Sequence, residues 1–149
     1  MKKIDLAQAE YLTGARYPAP HDQPCLTRER WRLGDVAGLT QFGVNLLRLP
    51  AGAWSSQRHW HTHEDEFVHV LQGEVVLVTD AGEEVLRAGD SAGFKAGVKD
   101  GHHLINRSDR DALVLEVGGR DDANDCGEYS DIDMIFTPAG FAHKDGTPY

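Results

Sequence analysis

Residues 52–73 read GAWSSQRHWHTHEDEFVHVLQG and carry half of the eight histidines of the 149-residue chain. His59 and His61 are two residues apart, and side chains two apart on a β-strand point to the same face. Glu66 is an odd number of residues from both, so it joins them only if the chain bends at residues 62–65. This stretch therefore predicts a strand with two metal-ligating imidazoles, followed by a strand that returns with Glu66 facing inward.

A second stretch, GDSAGFKAGVKDGHHLIN at residues 89–106, is punctuated by glycine and contains His102 near its end. Imidazole and carboxylate ligands suit first-row transition metals, and a set of three histidines and one glutamate leaves coordination positions open. We predict that both stretches form one centre. The predicted ligands of one divalent transition-metal ion per chain, Zn, Fe, Mn or Ni, are His59, His61, Glu66 and His102.

The neighbouring histidines are predicted to lie outside this ligand set. His103 follows His102 directly and therefore faces the opposite side of its strand. His69 has odd parity relative to Glu66, so it points away from the site, toward the core or an interface. His63 is interpreted as a surface residue, with a place in the pocket as the alternative.

The two stretches resemble the two sequence motifs of the cupin superfamily. The first motif places a glycine before His-x-His, a glutamate and a second glycine; those places are taken by Gly52, His59, His61, Glu66 and Gly73. The second motif is matched by Gly89, Lys95, Gly97, His102 and Asn106. In this motif Asn106 is expected to fix a turn rather than to touch the metal.

The resemblance has departures and a definite extent. Lys95 stands where the motif has proline, and the loop from Gly97 to His102 is longer than the usual pattern, so the lip of the pocket is expected to differ in shape. The match covers about residues 45–118. The ending DIDMIFTPAGFAHKDGTPY at residues 131–149 is similar to the tail of small bacterial cupins described as predicted sugar-phosphate isomerases.

The fold prediction is all-β. Short strands separated by close turns, with no long helical period, indicate a sandwich or barrel. The cupin resemblance implies an RmlC-like jelly-roll barrel, the double-stranded β-helix, and a homodimer. From the chain length we expect a single domain, 1–149, with a barrel core at about 40–119, an N-terminal arm at 1–30 and a C-terminal tail at 120–149 packed on the barrel.

The two ends of the chain carry weaker signals. Residues 3–12 are compatible with a short helix or an irregular arm, and the proline-rich RYPAPHDQP that follows cannot continue a helix. Residues 120–131, RDDANDCGEYSD, are predicted to be a polar loop with few apolar anchors. The final residues, 131–149, contain enough apolar side chains to dock on the barrel.

Charge and cysteine content exclude several classes of function. The formal charge is −9, from 15 basic and 24 acidic residues, which does not support a nucleic-acid partner. The one basic cluster, RERWR at 28–32, is interpreted as a solvated strand edge rather than a phosphate-binding patch. Cys25 and Cys126 show no CxxC spacing. Without a signal-peptide run or membrane span, a cytoplasmic location, no membrane partner and reduced thiols are expected, with one disulfide as the alternative.

Four ligands on a six-coordinate ion leave two positions for a small oxygen-rich molecule. The favoured interpretation is a metal-dependent, isomerase-like enzyme that acts on a small metabolite such as a sugar phosphate. A dioxygenase, if the metal is Fe(II), and a non-catalytic module that binds a small molecule are the alternatives. No general base is identifiable from the sequence; Tyr129, His63 and Lys95 are candidates.

Overall fold

The structure, a computed structural model, describes residues 3–149 and is built almost entirely from β-strands. The first strands are β1 (Glu10–Thr13), β2 (Glu29–Arg32), β3 (Phe42–Leu49), β4 (His59–His61) and β5 (Glu66–Gln72). The middle strands are β6 (Glu74–Thr79), β7 (Gly82–Arg87), β8 (Ser91–Phe94), β9 (His103–Ile105) and β10 (Ala112–Gly119). The last strands are β11 (Gly127–Tyr129), β12 (Ile135–Thr137) and β13 (Gly140–Ala142). A single-turn helix, α1 (Leu33–Val36), separates β2 from β3.

The strands form three sheets. One sheet has the order β1-β2-β3-β10-β5-β8, a second has the order β7-β6-β9, and a third has the order β13-β12-β11-β4. The first two sheets pack over a shared core of aliphatic side chains: Leu47, Leu49, Ala53, Val68, Val70, Val75, Leu77, Leu86, Leu104, Ala112 and Val114. The predicted all-β, double-stranded β-helix fold is confirmed.

The interior face of β3, β5 and β10 changes character along its length. At one end its alternate positions are apolar and belong to the core: Leu47, Leu49, Val68, Val70, Ala112 and Val114. At the other end the same alternation presents small or polar residues: Gly43, Asn45, Glu66, Glu116 and Gly118. Because side chains two apart share a face, each strand contributes both to the core and to a polar cavity beside it.

The N-terminal segment differs from both alternatives considered for it. Residues Leu6–Gln8 form one 3-10 turn, and the chain then enters β1, which pairs with β2 at the edge of the six-stranded sheet. Neither a helix nor an irregular arm describes residues 3–12 as a whole. The arm is therefore tied to the barrel by main-chain hydrogen bonds, which local composition does not reveal.

The prediction of a polar loop at residues 120–131 is wrong for its second half. Strand β11 lies there, with Gly127 and Tyr129 both buried, and it pairs antiparallel with β4. β12 and β13 continue the same sheet, so the tail packs on the barrel as predicted. Glycine and charged residues have low strand propensity, so the local sequence did not indicate this strand, whose stability comes from pairing with its neighbours.

Two smaller findings concern cysteines and membrane segments. Cys25 and Cys126 are both free, and Cys25 is buried. Within residues 3–149, no helix has the length and apolar character that crossing a membrane requires.

Gly127 sits where β11 passes closest to its neighbours. A Cβ atom at this position would overlap the main-chain oxygen of Trp60, in β4, and the ring of Phe136, in β12. Only glycine therefore lets β11 lie between these two strands. By contrast, a Cβ atom at Gly93 would meet its nearest neighbour, the main-chain oxygen of Glu66, at 3.8 Å, which is ordinary van der Waals contact.

We expect Gly127→Ala to lower the free energy of unfolding by about 1–3 kcal/mol, because the added methyl group forces β11 away from β4. Urea or thermal unfolding followed by circular dichroism measures this change. Gly93→Ala is the matched control and should shift stability by well under half as much. Equal losses in the two variants would contradict the close packing described for Gly127.

Candidate metal centre

Strand β4 is held from both sides by main-chain pairing. On one side it pairs with β11, with His61 opposite Gly127 and His59 opposite Tyr129. On the other side His59 exchanges two hydrogen bonds with His102: His102 N–H donates to His59 O at 2.9 Å, and His59 N–H donates to His102 O at 3.2 Å. This bridge brings the two histidine-bearing stretches of the sequence together.

All four predicted ligands meet at one place. His59, His61 and Glu66 offer ligand atoms that lie within 4.8 Å of one another. The Nε2 atoms of His59 and His61 are 3.1 Å apart, and His61 Nε2 lies 3.4 Å from Glu66 Oε2. His102 joins the group through Glu66, with its Nε2 2.8 Å from Oε2 of that carboxylate. The bend at residues 62–65 turns Glu66 inward, as its odd spacing requires.

The hydrogen-bond partners of two of these rings fix where their protons are. His59 Nδ1 lies 2.9 Å from the main-chain oxygen of Gln57, which can only accept, so Nδ1 carries the proton. His61 Nδ1 lies 2.6 Å from a carboxylate oxygen of Asp125 and is protonated for the same reason. In the neutral form of each ring the lone pair is then on Nε2, and two lone pairs this close together are stabilised by a cation beside them.

The charge states of the cluster agree with a ligand role. Burial lowers the pKa of His59 to about 4, so its ring is neutral at neutral pH. Burial alone raises the pKa of Glu66, but the hydrogen bond with His102 and the charges of the nearby histidines outweigh it and bring that pKa down to about 2. Glu66 is thus an anion beside a neutral His59 ring, which is the state in which these two groups bind a metal ion.

His102 is held differently from the other two histidines. Its ring stacks flat on Phe94, with ring centroids 3.6 Å apart and 1° between the planes. Its Nδ1 is buried and makes no hydrogen bond with the described residues. Aromatic packing therefore sets the orientation of the His102 ring. The rings of His59 and His61 are instead oriented by hydrogen-bond acceptors, Gln57 O and the Asp125 carboxylate.

His103 and His69 lie on the faces on which their parity placed them, and His63 lies at the surface. His103 is buried on the other side of its strand, where its Nδ1 lies 3.0 Å from the main-chain oxygen of Ser56. His69 faces away from the cluster and contacts Ser91 Oγ at 2.8 Å. His63 is exposed and contacts the neighbouring Thr62 hydroxyl.

Asn106 fixes a turn, as expected. It is fully buried, and its Nδ2 donates to the main-chain oxygens of Leu49 and Arg110 at 2.7 and 2.6 Å. Its Oδ1 accepts from the main-chain N–H and the hydroxyl of Ser108. These four bonds close residues 106–110 against the end of β3.

Asp125 is a site residue that the sequence did not reveal. It is buried, and besides contacting His61 Nδ1 it accepts a hydrogen bond from the main-chain N–H of His63 at 2.8 Å. The grouping of His61, Glu64 and Asp125 also has the composition of a metal site. Asp125 contacts Nδ1 of His61, which is on the far side of the ring from the cluster. Asp125 therefore orients the His61 ring and does not belong to the group of ligand atoms around Nε2.

The cluster opens into a cavity of about 460 Å³, within the usual size range of small-molecule sites. Five arginines contribute to its wall: Arg16, Arg28, Arg30, Arg32 and Arg120. The interpretation of residues 28–32 as a solvated strand edge is therefore wrong. β2 lies between β1 and β3, not at the sheet edge, and its alternate arginines face the cavity.

The three candidates for a general base lie in different surroundings. Tyr129 is buried, and burial together with neighbouring Tyr17 raises its pKa, which keeps its hydroxyl protonated. His63 lies outside the 460 Å³ cavity. Lys95 lines a second cavity of about 220 Å³, which reaches His61 and the other side of the cluster.

Glu64 is a further carboxylate that faces both cavities and that the sequence did not single out. It accepts a hydrogen bond from the main-chain N–H of Asp121 at 2.6 Å. Burial raises its pKa above that of an ordinary glutamate. This hydrogen-bond partner is 57 residues away in the sequence, so no local pattern identified Glu64 as a site residue.

The residues present fit a divalent metal ion. The Nε2 atoms of His59 and His61 converge, each with a proton held on the opposite ring nitrogen, and the Glu66 carboxylate with the His102 Nε2 atom 2.8 Å from it completes the set. Nitrogen and carboxylate-oxygen donors in this combination suit Zn, Fe, Mn and Ni alike. The cluster forms the wall between two cavities, so a ligand in either one can approach it.

Comparison with known proteins identifies the family. The Cupin domain family matches residues 45–118, the range over which the sequence motifs suggested the resemblance. A crystal structure of a sugar phosphate isomerase from a cupin superfamily, from Silicibacter pomeroyi, is 45% identical with a TM-score of 0.92. That comparison covers 99% of this chain and 96% of the other chain.

More distant structures share the fold. One from Acidithiobacillus ferrooxidans, described as a candidate sugar phosphate isomerase, is 26% identical with a TM-score of 0.72, covering 78% of this chain and 74% of that chain. A polyketide cyclase from Streptomyces resistomycificus is 18% identical with a TM-score of 0.63, covering 80% and 79%, a likeness of fold alone. No curated protein sequence matches the chain. The family match and the extent of the 45% identity show that the chain belongs to the cupin superfamily.

Proposed function

We propose that this cupin is a metal-dependent enzyme of the isomerase type that acts on a small, oxygen-rich metabolite such as a sugar phosphate. The observation that carries the proposal is the convergence of the Nε2 atoms of His59 and His61, 3.1 Å apart at the wall of a 460 Å³ cavity. The 45% identity to a cupin described as a sugar phosphate isomerase supports the choice of substrate class.

In this proposal His59, His61, Glu66 and His102 hold one divalent ion. When bound, the ion supplies Lewis-acid chemistry, the polarisation of a carbonyl or hydroxyl oxygen of the substrate. The chain orients its ligands in advance, because Gln57 O keeps the proton of His59 on Nδ1 and stacking on Phe94 fixes the ring of His102. Little rotation of these two rings is then needed on binding.

We expect the purified protein to bind about one equivalent of a divalent ion, measured by elemental analysis and by competition with a chromophoric chelator. His59→Ala and His61→Ala should weaken binding by more than the roughly 10- to 100-fold that loss of a supporting residue causes. His63→Ala and His69→Ala are matched controls, since these histidines lie close in sequence but outside the cluster, and they should keep wild-type affinity.

The same variants test catalysis. Sugar phosphates and short hydroxy or keto acids are incubated with protein loaded with Zn, Mn, Ni or, without oxygen, Fe(II), and isomerisation is followed by NMR. The proposal expects turnover in the wild type and in His63→Ala, and none in His59→Ala. Metal and ligand binding without any turnover would favour the non-catalytic module, and turnover only with Fe(II) and oxygen would favour the dioxygenase.

Asp125 is a positioning residue in this proposal. Its carboxylate contacts His61 Nδ1 at 2.6 Å, which fixes the tautomer and makes Nε2 a stronger donor. We expect Asp125→Asn to weaken metal binding by about 10- to 100-fold. Chelator competition measures the affinity, and unfolding of the metal-free protein measures stability separately.

Asp109→Asn is the control, because the side chain of Asp109 is 93% exposed and its substitution removes the same charge far from the cluster. If Asp125→Asn lowers the stability of the metal-free protein but leaves metal affinity at the wild-type value, Asp125 only anchors the turn at His63 and the positioning role is excluded.

We also propose that the protein is a homodimer that pairs through its N-terminal arm. β1 is an edge strand of the six-stranded sheet, which leaves main-chain groups free to pair. Large apolar side chains of the arm are exposed, among them Ile4, Leu6 and Tyr11 at 39%, 44% and 48%. A second copy of the chain covers such a surface in a symmetric dimer.

Size-exclusion chromatography with light scattering should give twice the chain mass of 16.4 kDa. Tyr11→Arg is expected to shift the mass toward that of a single chain, because it places a charge in the apolar contact. Val98→Arg, at an exposed apolar residue on the loop before His102, serves as the control and should stay dimeric. A wild-type mass of one chain would refute the proposal.

A cytoplasmic location is proposed as well. Cys25 and Cys126 are both free thiols. Burial raises the pKa of Cys25, which makes it an unreactive structural thiol. Unpaired cysteines of this kind are typical of proteins in reducing compartments.

A further inference from the structure

The wall of the cavity is more basic than the chain as a whole. The chain has a formal charge of −9, yet five arginines and only four carboxylates, Glu64, Glu66, Glu116 and Asp122, line the cavity. One of those four, Glu66, already belongs to the proposed metal cluster. Most of these arginines lie on the N-terminal half of the wall, in or near β1 and β2.

Three of the arginines are paired with carboxylates. Arg30 Nη2 donates to Glu116 at 2.9 Å, deep in the barrel. Arg32 contacts Asp35 at 2.8 Å, and Arg120 pairs with the same aspartate. The positive charge of these side chains is therefore largely matched within the protein.

Arg28 differs from them, because its partners are neutral. Its Nε donates to Gly14 O at 2.8 Å and its Nη1 donates to the main-chain oxygen of Ser55. Within residues 3–149 no carboxylate forms an ion pair with Arg28, and its Nη2 makes no hydrogen bond. Burial and the like charge of Arg30 lower the pKa of Arg28. A partly buried cation without a counter-charge is unfavourable until an anion reaches it.

Arg16 lies at the rim of the same wall. It is exposed, lines the cavity, and forms no ion pair with residues 3–149. Arg28 and Arg16 are thus the two cavity arginines whose charge the described part of the chain leaves unmatched. Planar guanidinium groups bind phosphate through paired, charge-assisted hydrogen bonds.

The chain itself links these arginines to the histidine cluster. Ser55, which holds Arg28, is four residues from His59, so their Cα atoms are at most about 14 Å apart. Tyr17 packs edge-on against Tyr129 with ring centroids 5.4 Å apart, and Tyr129 stacks on His59 at 5.6 Å. Arg28 and the cluster therefore line one cavity and are connected by a short segment of chain.

We propose that Arg28, with Arg16 at the rim, forms an anion subsite that takes the phosphate group of a small sugar phosphate while its sugar end reaches the histidine cluster. This inference rests on the proposed function and specifies which part of the cavity recognises the phosphate. It also explains why the N-terminal segment contributes arginines to a cavity whose metal ligands all come from elsewhere in the chain.

The test compares ligand binding by calorimetry in the wild type, Arg16→Gln and Arg28→Lys. The probes are inorganic phosphate, ribose 5-phosphate, ribose and gluconate, at constant ionic strength. We expect each variant to bind inorganic phosphate and ribose 5-phosphate roughly tenfold more weakly, the effect of losing a charge-assisted hydrogen bond. Ribose binding should not change. Arg110→Gln, at a side chain that is 87% exposed, is the control for charge alone.

Arg28 also donates hydrogen bonds to two main-chain oxygens, so circular dichroism checks whether its variant stays folded. Arg16 makes no such bonds with residues 3–149, so Arg16→Gln tests the subsite without this structural effect. Wild-type affinity for both phosphates in folded Arg16→Gln and Arg28→Lys overturns the subsite, as does a wild-type protein that binds neither phosphate at millimolar concentration. Equal arginine dependence for gluconate overturns the assignment to phosphate in favour of a carboxylate.

Metal binding is measured on the same samples by chelator competition. Normal metal binding with phosphate binding that does not depend on the arginines rejects the subsite and leaves the proposed function intact. Phosphate binding that depends on the arginines in a protein without metal affinity rejects the metal-dependent function and supports the subsite. The two failures are therefore distinguishable.

Discussion

The main-chain pairing of β4 is the constraint on which the site depends. This strand has three residues, and it is hydrogen-bonded to β11 on one side and bridged to His102 on the other. A strand so short has little stability of its own, so both neighbours must be in place before His59 and His61 can face one point. Tertiary structure, rather than local preference, thus holds the imidazoles at 3.1 Å.

Alternation along the longer strands divides the barrel into two functional parts. β3, β5 and β10 each place aliphatic residues inside at one end and small or polar residues inside at the other. The apolar end supplies the buried area that stabilises the fold. The polar end would destabilise a sealed core, but it is tolerated here because it faces a cavity and its charges are paired, as with Arg30 and Glu116. One set of strands therefore serves both stability and binding.

Much of this arrangement could be predicted from the sequence, because it is encoded in short spacings. The spacing of His59, His61 and Glu66, together with His102, identified the residues that the structure brings together. Parity alone placed His69 and His103 on other faces.

What could not be predicted depends on contacts between distant segments. Asp125 is such a case, since it lies 64 residues from the histidine it supports and in a segment predicted to be a polar loop. β11 was missed for the same reason: Gly127, which has low strand propensity, is required by the close approach of β11 to β4 and β12. The arginines of β2 were misjudged because their alternation is equally compatible with an exposed edge, whereas the structure places β2 between β1 and β3 with Arg30 and Arg32 lining the cavity.

The two walls of the cavity differ in how firmly they are held. β10 and β3 pair over eight residues and bury core side chains, whereas β1 has four residues, none of them buried, and pairs on one side only. Segments with few buried contacts open locally at a lower free energy than the body of a domain. In a single chain β1 is therefore the part of this wall that opens at the lowest free energy, and pairing with a second chain through the N-terminal arm, as proposed above, would hold that part of the wall in place.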